Sequence, residues 1–250
     1  MTEGVFSEKH QVLFYETDRT KETTVGMLVN ILMLASQDQS IALGLTEEKI
    51  NALGYGWVIT QHLIEIVRMP KYGGEQITIF TKADSYNRYF CYRDFWIESQ
   101  QGERLAKMHS VFVLMDQQKR KIARVLDELI DPYNCEYSAK VERMPDPKRL
   151  AQGRQLPAKQ YRVRFMDIDS NQHVNNVHYF DWMIDGLSED FLLRHKLLKM
   201  NIKYKREVHY GEMVESATEI DEAKLESFHV IKTVQGESCR ARCLWQKRTM

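Results

Sequence analysis

The sequence predicts an α+β protein made of two tandem copies of one unit, each a long helix packed on an antiparallel sheet. Three observations predict it. Apolar residues recur at helical spacing in two stretches, 23–45 and 175–188. Each stretch is followed by segments of alternating, strand-like period. The order strand, polar loop, long helix, four strands then occurs twice.

The elements follow in order. "QVLFYET" (11–17), rich in β-branched and aromatic residues, predicts a strand. In 23–45, Val25, Leu28, Val29, Leu32 and Ala35 fall on one helical face and Gly44 is the stop. "TEEKINAL" (46–53) predicts a short helix with a Thr cap. From residue 56 the period changes. Strands are predicted at 57–69, 75–85, 88–99 and 104–116, separated by the turns "KYGG", "YN" and "QQGE". Residues 117–158 hold four of the five prolines (Pro132, Pro145, Pro147 and Pro157) and many charges. They predict a linker with one short helix near "VLDELI" (125–130). The second copy begins with a strand at 160–168 and a helix at 175–188. Four strands follow, at 198–208, 212–221, 225–234 and 239–248. The predicted division is 1–134, a linker at 135–158, and 159–250.

The two copies also share residues. "FYETDRTKETTVGMLVNILM" lies against "RFMDIDSNQHVNNVHYFDWM" with Asp18 on Asp169. "EIVRMPKYGGEQI" lies against "KYKREVHYGEMV" with Arg68 on Arg206 and Glu75 on Glu212, after one inserted Gly. An antiparallel sheet that follows a long helix must bury its apolar face, and that helix can fill it. This is the hotdog arrangement. Two copies side by side predict a double hotdog with one continuous sheet.

Composition excludes several classes. With 35 Lys plus Arg against 35 Asp plus Glu, there is no global field for nucleic acid or an anionic membrane. The longest apolar runs are too short to span a bilayer, and "MTEGVFSEKHQ" lacks a secretory pattern. The four cysteines form no Cys-x-x-Cys pair, which predicts a reduced, cytoplasmic chain with no metal and no cofactor.

The chemistry concentrates in "FMDIDSNQHVNNVHYFD" (165–181), where Asp169, Asn171 and His173 alternate between an apolar run and a helix. In an extended loop, residues two apart point the same way, so the three side chains are expected to converge. The helix that follows should begin near Asn175, leaving unsatisfied N–H groups at its head. The amides of Val174 or Asn175 are candidates for an oxyanion hole. Short of a longer pattern, Asp-x-Asn before a helix is also an ordinary turn and cap.

The longer pattern exists. "DIDSNQHVNNVHYFDW" (167–182) resembles the acyl-acyl-carrier-protein thioesterases, the family that ends fatty-acid elongation in plants and has soluble bacterial relatives. The resemblance is carried by Asp169, Asn171, His173, Val174, Asn175, Asn176, Tyr179 and Trp182, and by "IKYKREVHYGEMVES" (202–216) with Glu207. It covers nearly the whole chain. It implies hydrolysis of a fatty acyl thioester to free acid, and a transiently docked, acidic acyl carrier protein as partner. Acyl-coenzyme A hydrolysis and non-catalytic acyl binding are the alternatives. Plant members often carry Cys where this chain has Val208, so a Cys nucleophile there is not expected.

On this reading Asn171 holds the carbonyl or a water, and His173 moves a proton. Asp169 orients the loop, and Glu207, expected on a strand, acts as base or orients His173. The first copy keeps Asp18 but has Thr20 and Glu22 for Asn and His, and Met69 for Glu207. It should therefore hold acyl chain rather than catalyse, with Met27, Leu28, Ile31 and Met33 as candidate contacts. His178 and His209 are expected to be incidental. Carrier-docking cations are available in "KRKIAR" (119–124), "KYKR" (203–206) and "QKR" (246–248). Nothing in the sequence decides between a monomer and a homodimer.

Overall fold

Leu28, Val29, Leu32 and Ala35 sit on one helical stripe, and a stripe of that kind is stable only against another apolar surface. In the computed structural model, which describes residues 4–148, 150 and 156–248, all four are fully buried on helix α1, Val25–Ala42. The chain divides into two units, 1–24 with 28–144, and 25–27 with 145–250.

The first unit contains β1 (Val5–Gln11), α1, α2 (Glu47–Ala52), β2 (Tyr55–Ile66), β3 (Gln76–Tyr86), β4 (Phe90–Ser99) and β5 (Arg104–Asp116). Two short strands, β6 (Lys121–Ile122) and β7 (Glu136–Tyr137), flank the one-turn helix α3 (Asp127–Ile130). The main strands are antiparallel neighbours in the order β1-β3-β4-β5-β2. Alternate residues Ile77, Ile79, Thr81 and Ala83 of β3 are buried, as are Phe95 and Ile97 of β4. Arg93 ties α1 to this face. Its guanidinium donates to Gln39 Oε1 at 2.6 Å and Thr81 Oγ1 at 3.0 Å, and lies 4.9 Å from the Tyr133 ring centroid.

The second unit contains β8 (Ala158–Arg162), α4 (Val177–Ile184), α5 (Glu189–Arg194), β9 (His195–Tyr204), β10 (Met213–Asp221), β11 (Glu226–Thr233) and β12 (Gly236–Lys247). Its sheet order is β8-β10-β11-β12-β9, the order of the first unit strand for strand. Ser216 Oγ on β10 donates to the Trp182 carbonyl on α4 at 2.9 Å. A Cβ on Gly186, just past α4, would lie 2.3 Å from Thr218 Oγ1, so the close approach of this helix end to β10 requires glycine.

Several expectations need correction. The segment 11–17 is not a strand: β1 ends at Gln11 and Phe14–Glu16 forms a 3-10 turn. The same happens after β8, where Phe165–Asp167 is a 3-10 turn. Both turns are held by a buried carboxylate. Glu16 accepts from the Leu13 amide and Asp167 from the Arg164 amide, each at 2.8 Å. The helix expected from 175 starts at Val177, and α5 was not anticipated. In the linker, Glu142 N donates to Tyr92 Oη at 3.0 Å, and the Pro145 carbonyl accepts from Asn201 at 2.7 Å. Among the described residues no helix is long and apolar enough to cross a membrane.

Each unit buries one uncharged histidine. His62 on β2 bonds Ser110 Oγ at 2.7 Å. His229 on β11 bonds Ser227 Oγ at 2.8 Å and Thr218 Oγ1 at 3.1 Å. Burial lowers both pKa values to about 3, from an unfolded value of 6.5. Between those limits the unfolded chain binds protons that the folded chain refuses. Stability from each group is therefore complete above pH 6.5 and falls as pH falls. Going from pH 7.5 to 5.5 is expected to cost about 1.4 kcal/mol per histidine. Urea unfolding at the two pH values checks this, and His62→Gln and His229→Gln should each flatten the dependence.

Candidate active site

The loop between β8 and α4 is cinched rather than extended. Ile168 and Val174 form an isolated antiparallel bridge, the Asp169 amide donates to the His173 carbonyl at 2.9 Å, and Gln172 takes φ +66° at the bend. Asp169 Oδ1 accepts from the Asn171 amide at 2.9 Å and the His173 amide at 3.4 Å. Its carboxylate thus serves as the loop's internal anchor, the usual use of Asp in such turns. The backbone turns within the segment, so the two-residue alternation of an extended strand does not describe it. Asn171 is exposed and His173 half-buried on the tightened loop.

The chain meets this loop again after β9. The strand stops at Tyr204, so Glu207 lies beyond its end in irregular chain, not on a strand. The Val174 amide donates to the Val208 carbonyl at 2.9 Å, holding the two segments together. That contact puts Glu207 Oε2 3.1 Å from His173 Nε2, with side chains about one-quarter exposed, 25% and 22%. Val208 itself is fully buried. Sequence reasoning missed His209. Its ring lies 5.0 Å, centroid to centroid, from that of His173, and its only sequence signal is a position two beyond Glu207. One donor atom from each of His173, Glu207 and His209 falls within 4.8 Å of the others, so these three residues could hold a metal ion.

The amides nominated for an oxyanion hole are already used. Val174 N–H is bonded to Val208, and Asn175 N–H donates to the Asp167 carbonyl at 2.9 Å. The loop must be closed to bring His173 to Glu207, and closing it consumes these donors. Asp167 is buried. Burial works to raise its pKa, but the Arg164 guanidinium and amide outweigh this and hold it below the usual carboxylate range.

The first copy builds the same loop with different chemistry. Asp18 Oδ1 accepts from the Thr20 amide at 2.7 Å, Lys21 takes φ +62°, Thr17 bridges Thr23, and Thr23 N–H donates to the Pro70 carbonyl. Position by position, Pro70 matches Val208, Met69 matches Glu207, Glu22 matches His173 and Lys71 matches His209. Glu22 and Lys71 form an ion pair at 3.4 Å. The anchor is duplicated and the titratable trio is not. Of the residues expected to contact an acyl chain, Leu28 and Ile31 are buried while Met27 and Met33 are half-buried. Two clefts in the first unit, of about 360 and 310 Å³, are lined by other residues.

None of the four thiols is disposed to act as a nucleophile. Burial raises Cys91 and Cys243 to about 12, raises Cys239 well above its ordinary value, and raises Cys135.

Residues 3–133 match the family model of the acyl-ACP thioesterase N-terminal domain, and residues 150–247 match that of the acyl-ACP thioesterase C-terminal domain. The chain belongs to the acyl-ACP thioesterase family. An oleoyl-acyl carrier protein thioesterase of Coriandrum sativum chloroplasts is 30% identical over 236 residues, covering 87% of this chain. The chain spans 63% of that relative's length. Among solved structures, a protein described as an oleoyl thioesterase from Lactobacillus plantarum is 40% identical with a TM-score of 0.95, covering 100% of this chain and 98% of its own. A 12:0-ACP thioesterase from Umbellularia californica shares the fold at 19% identity, with a TM-score of 0.87 and 99% of each chain covered. The double hotdog is therefore this family's fold, and each unit described above has its form.

Proposed function

We propose that the chain hydrolyses the thioester of a fatty acyl-acyl carrier protein, using one site on the second unit. The observation that carries this reading is the 3.1 Å contact between His173 Nε2 and Glu207 Oε2 at the mouth of a loop anchored by Asp169. With Nε2–H donating to the carboxylate, Nδ1 carries the acceptor lone pair of the imidazole. His173 takes a proton from water as its oxygen bonds the thioester carbon. Glu207 stabilises the imidazolium that results. The Asn171 side-chain amide, on the exposed side of the loop, polarises the carbonyl in place of the amides that the backbone has consumed. As the C–S bond breaks, the imidazolium returns its proton to the leaving thiolate. The products are a free fatty acid and the carrier's thiol. Asp169 acts through the loop backbone, as Asp18 does in the first copy.

The surroundings of the loop favour a protein handle. Phe165 and Met166 are 78% and 72% exposed, and Tyr210, three residues past Glu207, is exposed too. Arg162 is exposed and lies over the Tyr210 ring; Arg164, also exposed, is paired with Asp167 at 2.6 Å. Apolar side chains with arginines among them suit an acidic protein partner better than the small phosphate cluster of coenzyme A. Of the nine cations first nominated for docking, four are engaged as follows: Lys203 with Asp146, Lys205 with Glu237, Arg206 with the Gln235 carbonyl, and Lys119 with Asp116.

Assaying the protein against carrier-linked and coenzyme A-linked acyl chains of graded length tests the reading. Carrier-linked substrates should be turned over faster. Their kcat/KM should fall as salt shortens the Debye length from about 30 Å to about 8 Å. Arg162→Glu should lower kcat/KM for the carrier-linked substrate and spare a simple acyl thioester. Salt-independent turnover of the carrier-linked substrate would remove the charge-guided dock, and no hydrolysis of any thioester would remove the reading itself.

A further inference from the structure

The duplicated loop places two side chains opposite one another in each copy. In the first copy they are Glu22 and Lys71, joined as an ion pair at 3.4 Å. In the second copy the same two positions are His173 and His209, and the residue that replaces Met69 is Glu207. Where the first copy has satisfied its two positions with opposite charges, the second has gathered three metal-type donors. Ring centroids of the two histidines lie 5.0 Å apart, and one donor atom from each of the three residues falls within 4.8 Å of the others.

We infer that His173, Glu207 and His209 form a binding site for a divalent transition-metal ion of the zinc class, and that the bound ion inhibits hydrolysis. The donor set fits that class. Two imidazoles and one carboxylate with an open fourth position is a common tetrahedral zinc environment, with Zn–N and Zn–O bonds of about 2.0–2.2 Å. Two imidazoles on one tetrahedral ion have ring centroids about 5 Å apart by the same bond lengths, which is the separation already present. The donor atoms already lie within 4.8 Å of one another, and ligands on one tetrahedral ion stand about 3.4 Å apart, so side-chain rotation suffices to seat it. His209 is exposed and Glu207 half-buried, both on irregular chain between Tyr204 and β10, so neither is locked by a helix or a sheet ladder. Magnesium and calcium are not accommodated, since they demand six or more oxygen ligands.

Inhibition follows from which atoms the ion takes. His173 and Glu207 are the pair that activates water in the proposed hydrolysis, and an ion held between them removes both from proton transfer. The inhibitory half of the inference rests on that reading; the binding half does not.

The test uses the full chain freed of metal by a chelator. Titration with Co²⁺ should produce the d–d absorption of a tetrahedral N/O site at one equivalent per chain, and Zn²⁺ should displace it. Mg²⁺ should leave the spectrum unchanged. His209→Ala should weaken Zn²⁺ binding by about 100-fold or more, comparable with the upper range seen on disturbing a metal site. Its turnover is measured both metal-free and with Zn²⁺, so that inhibition is read as a ratio within each protein. Zn²⁺ should then suppress hydrolysis by the unsubstituted protein, reversibly by chelator, and leave His209→Ala active at the same concentration. Absence of a tetrahedral Co²⁺ spectrum, or equal binding by His209→Ala, would overturn the site. Binding that raises turnover, or leaves it unchanged, would overturn the inhibition. If the protein proves to hydrolyse no thioester, the Co²⁺ spectrum alone still decides the site.

Discussion

His173→Ala is expected to lower kcat for a fatty acyl thioester by about 10²–10⁴-fold, the usual worth of a positioned acid–base group. Asn171→Ala should cost about 10²–10³-fold, as loss of one donor to a developing oxyanion does. Neither change should unfold the loop. What closes it is the Asp169 carboxylate, the Asp169–His173 backbone bond and the Val174–Val208 bond, and none uses the removed side chain. The matching change in the first copy, Thr20→Ala, removes a hydroxyl that bonds Asp18 at 2.6 Å and nothing else of chemical use. Its turnover should stay within about twofold of the unsubstituted protein, and its stability should fall by about 1 kcal/mol at most. Steady-state assays beside urea midpoints separate the two kinds of effect. Comparable losses at positions 20 and 173 would refute the single-site reading.

The second large effect concerns Glu207. Glu207→Gln keeps an oxygen that can accept the His173 Nε2 hydrogen and removes the negative charge that stabilises an imidazolium 3.1 Å away. A charge-assisted hydrogen bond is worth roughly twice a neutral one, and it gains strength in the transition state. The expected loss is about 10²-fold in kcat with KM little changed, the mark of an interaction made mainly in the transition state. Glu207→Ala should be worse, since it also leaves the imidazole tautomer unassigned. If Glu207→Gln were indistinguishable from the unsubstituted protein in kcat, Glu207 would be an orienting neighbour only and the pair would not act as a unit.

Where the sequence could be read, the physics was local. Leu28, Val29, Leu32 and Ala35 declare a helix by period, and Ile77 and Ile79 declare a strand by alternation. The doubled element order carries the topology, because short antiparallel connections leave few ways to order five strands. The failures share a cause. Phe14-Tyr15 and Phe165-Met166 look like strand residues by type, yet Glu16 and Asp167 capture the amide three residues back and turn the chain. No periodicity records such a bond. For the same reason "KREV" looks like a continuing strand, while the strand has ended at Tyr204 and Val208 instead accepts from Val174. The roles of Asp169 and of the Val174 and Asn175 amides turn on one cinched loop, and alternation alone suggested an extended one. His209 became visible only when that loop brought it to His173.

In the proposed reaction water attacks directly, activated by His173 and Glu207, and no covalent acyl-enzyme forms. Mixing the protein with a fatty acyl thioester, quenching in acid within the first turnover, and weighing the intact chain tests this most directly. The chain is predicted to keep its unmodified mass at every quench time while free fatty acid accumulates. A transient species heavier by one acyl group, mapped to Glu207 or to any cysteine, would contradict it.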